Sequence, residues 1–178
     1  MHRLFVALRP PQAIRDLLVD AMDDSPGMRW TGEDGLHLTL RFIGEVEGPL
    51  AEDLALTLGR VRSQPFELRV KGVGLFDQRP GGSLWAGVEP RAPVAALAAK
   101  VERACAGAGL EPERRAFHPH VTLARYKRSD LGLVRAFVER HGGFASPPFT
   151  ADRFILFESR LSRHRAHYQE VASYPMAG

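Results

Sequence analysis

His-x-Thr is written twice in this chain, as His37-Leu38-Thr39-Leu40 and as His120-Val121-Thr122-Leu123. An ordinary imidazole titrates near pH 6.5, so two histidines in one site can divide general-base and general-acid work. One takes a proton from an attacking water. The other gives a proton to a leaving oxygen. Two threonine hydroxyls can donate hydrogen bonds to the non-bridging oxygens of a phosphoryl group. Where protein donors stabilise the charge on phosphorus, no metal is needed. The set therefore suits phosphodiester chemistry, with each acid or base role typically worth roughly 10²–10⁴-fold in rate. With seven His and five Thr in 178 residues, chance predicts only about 0.2 such matches. The competing reading is that both histidines are polar residues on exposed strand faces.

Strands are the elements that position the motifs. Side chains alternate along a strand, so His37 and Thr39 point one way, while Leu38, Leu40 and Phe42 point the other way, into a core. His120 and Thr122 repeat this against Val121 and Leu123. Arg41 keeps the parity of His37 and is a cationic candidate for substrate contact.

The rest of the chain reads as a frame around these strands. Residues 3–8 are a strand closed by Pro10 and Pro11, and Ile14, Leu17, Leu18 and Ala21 then recur at helical spacing. A helix follows Pro49, with Leu50, Leu54, Leu58 and Val61 on one face. FELRVKGVGLF and SLWAGV read as strands about the RPGG turn. Another helix follows Pro93, and its apolar stripe ends at Cys105, which makes that thiol a core residue rather than a nucleophile. A fourth helix follows Ser129 and stops at Gly142-Gly143. Two strands, near RFILFES and HYQEVASY, close the chain.

Element order repeats between the two halves. Pro11 and Pro93 are 82 apart (93 − 11), His37 and His120 are 83 apart (120 − 37), and Phe66 and Thr150 are 84 apart (150 − 66). A nearly constant offset of this size indicates a duplication, not a solenoid of three or more short repeats. The expected fold is α+β, with two similar lobes related by a pseudo-twofold axis and antiparallel sheets flanked by helices. The cleft between the lobes carries both His-x-Thr strands. The chain is read as a single bilobal domain, 1–178, with halves of roughly 1–78 and 79–178.

Composition bounds the setting. At 44% hydrophobic and 25% charged, the chain has the balance of a globular protein. No apolar run approaches the roughly 18 residues of a membrane span, and MHRLFVALRPP lacks the small-residue cleavage site of a signal peptide. Cys105 is the only cysteine, which favours a reducing, cytoplasmic setting over a disulfide-stapled one. The net charge of +3 suits an anionic partner, and ESRLSRHRAHY concentrates Arg160, Arg163, His164, Arg165 and His167. A solvated turn is the competing reading of that stretch. His118 and His120 could share a metal, but Pro119 separates them, no carboxylate lies close in sequence, and a structural role for His118 is favoured. Trp30 beside a loop could stack on a base, whereas Trp85 within SLWAGV is read as core. GVGLFD lacks the third glycine and the helix of a dinucleotide fingerprint.

The motifs and their flanks resemble the two-histidine phosphoesterases, most closely the RNA 2′,3′-cyclic phosphodiesterases, also called 2′-5′ RNA ligases of the LigT type. RWTGEDGLHLTLRFIGEV and RAFHPHVTLARY resemble the segments around the family's two motifs. GLFDQRPGGSLWAGVE resembles the segment between them, and FILFESRLSRHRAHYQEVASYPM the closing strands. The resemblance implies His37 and His120 as the acid–base pair, Thr39 and Thr122 as phosphate holders, and Arg125 as a further phosphate contact. It also implies that no cofactor or metal is required, and that the partners are RNA ends or nucleotides bearing a 2′,3′-cyclic phosphate. A monomer away from membranes is expected. Arg125 lies five residues past His120, so strict alternation aims it at the core and a bulge must turn it round. Arg165 stands where the family often has glycine. Two alternatives remain: action on small cyclic nucleotides or 2′-5′ oligonucleotides, and a nucleotide- or RNA-binding module without turnover.

Overall fold

Proline marks three helix starts in this computed structural model, which describes residues 1–23 and 25–177. Pro11 precedes the first helix, Pro49 sits in the first turn of the second, and Pro90 caps the third. A first-turn N–H has no intrahelical acceptor, so proline loses nothing there. For the same reason the third helix begins at Arg91 and takes Pro93 into its first turn. The elements run β1 (His2–Leu8), α1 (Gln12–Asp23), β2 (Leu38–Val46), α2 (Gly48–Leu58), β3 (Phe66–Asp77) and β4 (Gly81–Glu89). Then follow α3 (Arg91–Gly107), β5 (His120–Lys127), α4 (Leu131–His141), β6 (Phe149–Ala151), β7 (Arg153–Leu161) and β8 (Ala166–Pro175).

The α+β expectation is met by one curled, antiparallel, eight-stranded sheet in the order β6-β3-β4-β5-β2-β1-β7-β8. The two motif strands are its central pair, and four strands lie in each half. β3, from the first part of the chain, pairs with β4 from the second, and β7 pairs with β1. Each half of the sequence thus hands its late strand to the other side. β3 begins against β6, with Phe66 opposite Ala151, and only Asp152 separates β6 from β7. The two late strands therefore start side by side and then part, which curls the sheet.

Helices cover one face. Ile14, Leu18 and Met22 of α1 are buried there, Met22 rather than Leu17 completing the stripe. They join Leu54 and Leu58 of α2, Val94, Leu97, Val101 and Cys105 of α3, and Val134 and Phe137 of α4. From the sheet they meet Leu4, Val6, Leu38, Leu40, Leu84, Val121, Leu123 and Leu156. At about 1.5–3 kcal/mol for each large aliphatic side chain buried, this is the main stabilising term. Among the described residues no α-helix packs on the other face. That face carries a small apolar cluster of Phe5, Ala7, Ile155 and Phe157, with Tyr168 packed against it. Among the described residues no helix is long and apolar enough to cross a membrane.

Candidate active site

β2 and β5 touch at a single register pair, Leu38 with Val121, and then diverge. Both residues are buried on the helix face. One residue either way in that antiparallel register, His37 falls across from Thr122 and Thr39 across from His120. Strand alternation puts all four on the open face. The two motifs thus interleave, each histidine beside the other motif's threonine. The four polar side chains are half-buried, in contrast to the fully buried leucines and valine between them.

His37 rests on the apolar cluster. Its ring stacks on Phe5 at 4.7 Å and on Phe157 at 5.8 Å, and meets the edge of Tyr168 at 5.2 Å. Burial pushes its pKa down to about 4; the Asp34 backbone opposes this and the Arg9 cation adds to it. The Nδ1 atom is buried without a hydrogen bond inside 3.5 Å, so the Asp34 backbone only offsets the loss of water. The short 3-10 turn Glu33–Gly35 delivers His37 to the strand. Glu33 ties that turn to α1 through Gln12 (2.6 Å) and Arg15 (3.2 Å).

His120 has a different setting. Its Nδ1 bonds to the His118 carbonyl. A carbonyl only accepts, so Nδ1 carries the proton and Nε2 of the neutral ring has its lone pair free. Burial lowers its pKa, and the His118 bond raises it in part. Phe76, Trp85 and His118 surround the ring at 5.2, 6.2 and 5.5 Å. Trp85, expected in the core, instead stands on the open face opposite Thr122. Gly74 on β3 makes room for it, since a Cβ there would come within 2.5 Å of the indole.

Arg125 reaches the open face through a bulge. Leu84 pairs with Ala124 and Trp85 with Thr122, so Leu123 is an extra residue in β5. The bulge shifts the parity: Leu123 and Ala124 are both buried, and Arg125 is exposed opposite Ser83. β2 carries the same device. Ala7 pairs with Thr39 and Val6 with Arg41, leaving Leu40 extra. Arg41 is therefore on the helix face, contrary to its parity with His37. It is 8% exposed, paired with Glu102 of α3, and donates to the carbonyls of Phe42 and Glu111. It braces the fold and does not face the cleft.

The same bulge corrects a second expectation. Phe42 pairs with Phe5 on the open face and is 53% exposed, not core. It stands five residues past His37, as Arg125 stands five past His120, so the two are counterparts across the motif pair. That equal spacing was the signal that could have found it. Tyr168, which edges His37, lies in the closing segment that resembles the family, but nothing in its local spacing pointed to the histidine.

Trp30 does not reach the cleft. Its indole donates to the Ser25 carbonyl at 3.0 Å and its ring packs on Phe137 at 5.1 Å. Trp30 bridges Ala124, and Thr31 N–H donates to the Leu123 carbonyl at 2.7 Å. The segment thus fills the edge of β5 that β2 leaves free and braces the bulge. Cys105 is buried, and its pKa is pushed up to about 11 by loss of water. His118 packs on Trp85 and Phe76 at 4.8 and 5.1 Å, and among the described residues no group of three or more His, Cys, Asp or Glu side chains is gathered as metal ligands would be.

A curled antiparallel sheet with two His-x-Thr strands at its centre is the architecture of the two-histidine phosphoesterases. A profile of the 2′-5′ RNA ligase superfamily matches residues 9–163, and the chain belongs to that superfamily. An RNA 2′,3′-cyclic phosphodiesterase of Escherichia coli (strain K12) is 31% identical over 179 residues, covering 98% of this chain and 97% of its own. One from Geobacillus stearothermophilus is 30% identical over 172 residues. That match takes in 94% of this chain but 54% of the relative, so the chain spans about half its length. The crystal structure of E. coli LigT complexed with 3′-AMP superposes with a TM-score of 0.82 at 26% identity, over 99% of each chain.

Proposed function

We propose that this chain hydrolyses the terminal 2′,3′-cyclic phosphate of RNA to a 2′-phosphomonoester, with His37 and His120 as its acid–base pair. The observation that carries the reading is the interleaved register of the two motif strands, which sets two imidazoles and two hydroxyls on one open face. Water attacks phosphorus in line with the 3′ oxygen. One imidazole removes the water proton, the phosphorus–O3′ bond breaks, and the other imidazole protonates O3′. Thr39 and Thr122 donate to the non-bridging oxygens, whose charge grows in the transition state, and Arg125 adds a cation. The two histidines return to their starting states by exchanging a proton with solvent.

Phe42 extends the site. An exposed aromatic ring beside the reacting phosphate can stack on the terminal base without selecting among bases. With a 5′ hydroxyl in place of the attacking water, the same groups in the same roles would break the phosphorus–O3′ bond and join the cyclic end through a 2′-5′ bond, which agrees with the superfamily's name. Both motifs come from one chain, so a monomer is complete for catalysis. The internal duplication, with halves of roughly 1–78 and 79–178, accounts for the repeated motif and its matched bulges. A cytoplasmic setting suits an RNA substrate and a lone buried thiol.

Phosphorus NMR of adenosine 2′,3′-cyclic phosphate incubated with the protein in excess EDTA tests the reading. Conversion to adenosine 2′-phosphate is expected. A 3′-phosphate product would refute the assignment of the bond that breaks, and no turnover of this compound or of a cyclic-ended RNA would refute the activity.

A further inference from the structure

The β7–β8 hairpin links the catalytic face to a basic turn that no step above uses. Ser162 N–H and the Ser162 hydroxyl both donate to the Arg165 carbonyl, at 3.0 and 2.8 Å, and close the turn. Arg163, His164 and Arg165 stand on it, all exposed, and none enters an ion pair among the described residues. Arg160, just before the turn, meets Glu158 at 3.9 Å on the opposite face.

The same hairpin supplies Tyr168, whose ring edges His37. Tyr168 pairs with Ser159, and Leu161 pairs with Ala166. Strand alternation therefore puts Ser159, Leu161, Ala166 and Tyr168 on the open face. Arg165 is three positions before Tyr168, about 10 Å of extended chain. That distance is at most roughly three stacked nucleotides, taking the 3.4 Å per-strand rise of a duplex as the shortest step. Moving outward from His37, the open face presents Tyr168 and Phe42, then Leu161 at 76% exposure, and the hairpin ends in the turn that carries Arg163, His164 and Arg165 in solvent. Arg3 lies on this face too, but Glu45 opposes it across the strand pair, so unopposed charge is found at the turn. Stacking surface followed by free cations is the pattern that holds single-stranded nucleic acid.

We propose that the turn of the β7–β8 hairpin clamps backbone phosphates of the RNA strand on the 5′ side of the reacting end, through Arg163 and Arg165. The inference rests on the phosphodiesterase reading above and names the form of substrate the site prefers: an oligonucleotide over a mononucleotide. A cyclic phosphate occupies the 2′ and 3′ oxygens of the last ribose, so the rest of the strand leaves from its 5′ oxygen.

The test compares the native protein with the Arg163→Ala/Arg165→Ala double variant on two substrates, a hexaribonucleotide ending in a 2′,3′-cyclic phosphate and adenosine 2′,3′-cyclic phosphate. Both substitutions are on an exposed turn closed by backbone and Ser162 atoms, so folding is retained. The variant is expected to raise KM for the hexamer about tenfold at unchanged kcat. The slope of log KM against log salt should flatten by about 1.4, the share of two single-strand phosphate contacts. Neither KM nor kcat for the mononucleotide should move. Equal losses on both substrates, or none on either, would overturn the clamp. If the native protein turns over neither compound, the catalytic reading fails, and anisotropy of a 5′-labelled hexaribonucleotide then decides the clamp alone. About tenfold weaker binding by the variant supports it, and equal binding overturns it.

Discussion

At the scale of the residue, the two histidines differ in what surrounds them. His37 lies on Phe5, Phe157 and Tyr168 and is pushed down to about 4 by burial. In the unfolded chain its pKa returns to about 6.5, so between those values the unfolded state binds more protons than the folded one. Stability is then full above pH 6.5 and is lost as pH falls toward 4, by at most on the order of 3 kcal/mol from this group. Urea melts across pH 4–7 should show that slope in the native protein and a flatter one in His37→Phe. Catalysis gives a separate check. His37→Ala and His120→Ala should each lower kcat by roughly 10²–10⁴-fold. Thr39→Ala and Thr122→Ala should cost less, since each supplies one hydrogen bond. Near-normal kcat in both histidine variants would remove the acid–base assignment.

At the scale of the element, one extra residue in each motif strand decides which arginine serves the cleft. Leu40 and Leu123 are the extra residues beside the motifs, and just past them the parity of each strand inverts, until a second shift at Ile43 restores it in β2. Arg41 turns to Glu102 and Arg125 turns to the open face. The two arginines therefore make opposite predictions. Arg41→Met breaks a nearly buried ion pair and leaves Glu102 and the Glu111 carbonyl without their cation, so a loss of about 2–4 kcal/mol is expected. Arg125→Met on an exposed strand position should leave stability within about 0.5 kcal/mol and lower kcat/KM by about 10²-fold. Paired denaturation and kinetics of the two variants separate these roles. If Arg41→Met kept its stability and lost activity, the bulge argument would be wrong. Phe42 follows the same logic. It reads as core by alternation, yet the bulge exposes it, so Phe42→Ala should raise KM several-fold with little effect on folding.

At the scale of the whole molecule, the halves of the chain are not independent lobes. β3 belongs in sequence with β1 and β2 but sits beside β4, and β7 sits beside β1. A fragment of residues 1–78 would expose both edges of β1-β2 and of β3, and a fragment of 79–178 would lack the partners of β4 and β7. Neither fragment should fold alone, because an unpaired strand edge leaves backbone donors and acceptors without partners. Mixed together, the two should recover strand content by circular dichroism. A stable fold from either fragment alone would show that the exchanged strands are dispensable.

By itself the amino-acid sequence determined the kind of chemistry and most of the frame. Residue types at short spacing set what His37, Thr39, His120 and Thr122 can do. Apolar periodicity and proline positions marked the helices and the main strands, because both are local properties of the chain. Only the tertiary structure decided which side chains share the cleft. The bulges at Leu40 and Leu123 depend on register against β1 and β4, and a one-residue shift in register moves every later side chain to the other face. For that reason Arg41 and Phe42 went to faces that alternation did not indicate, whereas the four motif residues, which precede the bulges, stood where their spacing put them. Trp30 was set by the Ser25 carbonyl and Phe137, and Trp85 by its place between the buried Leu84 and Ala86.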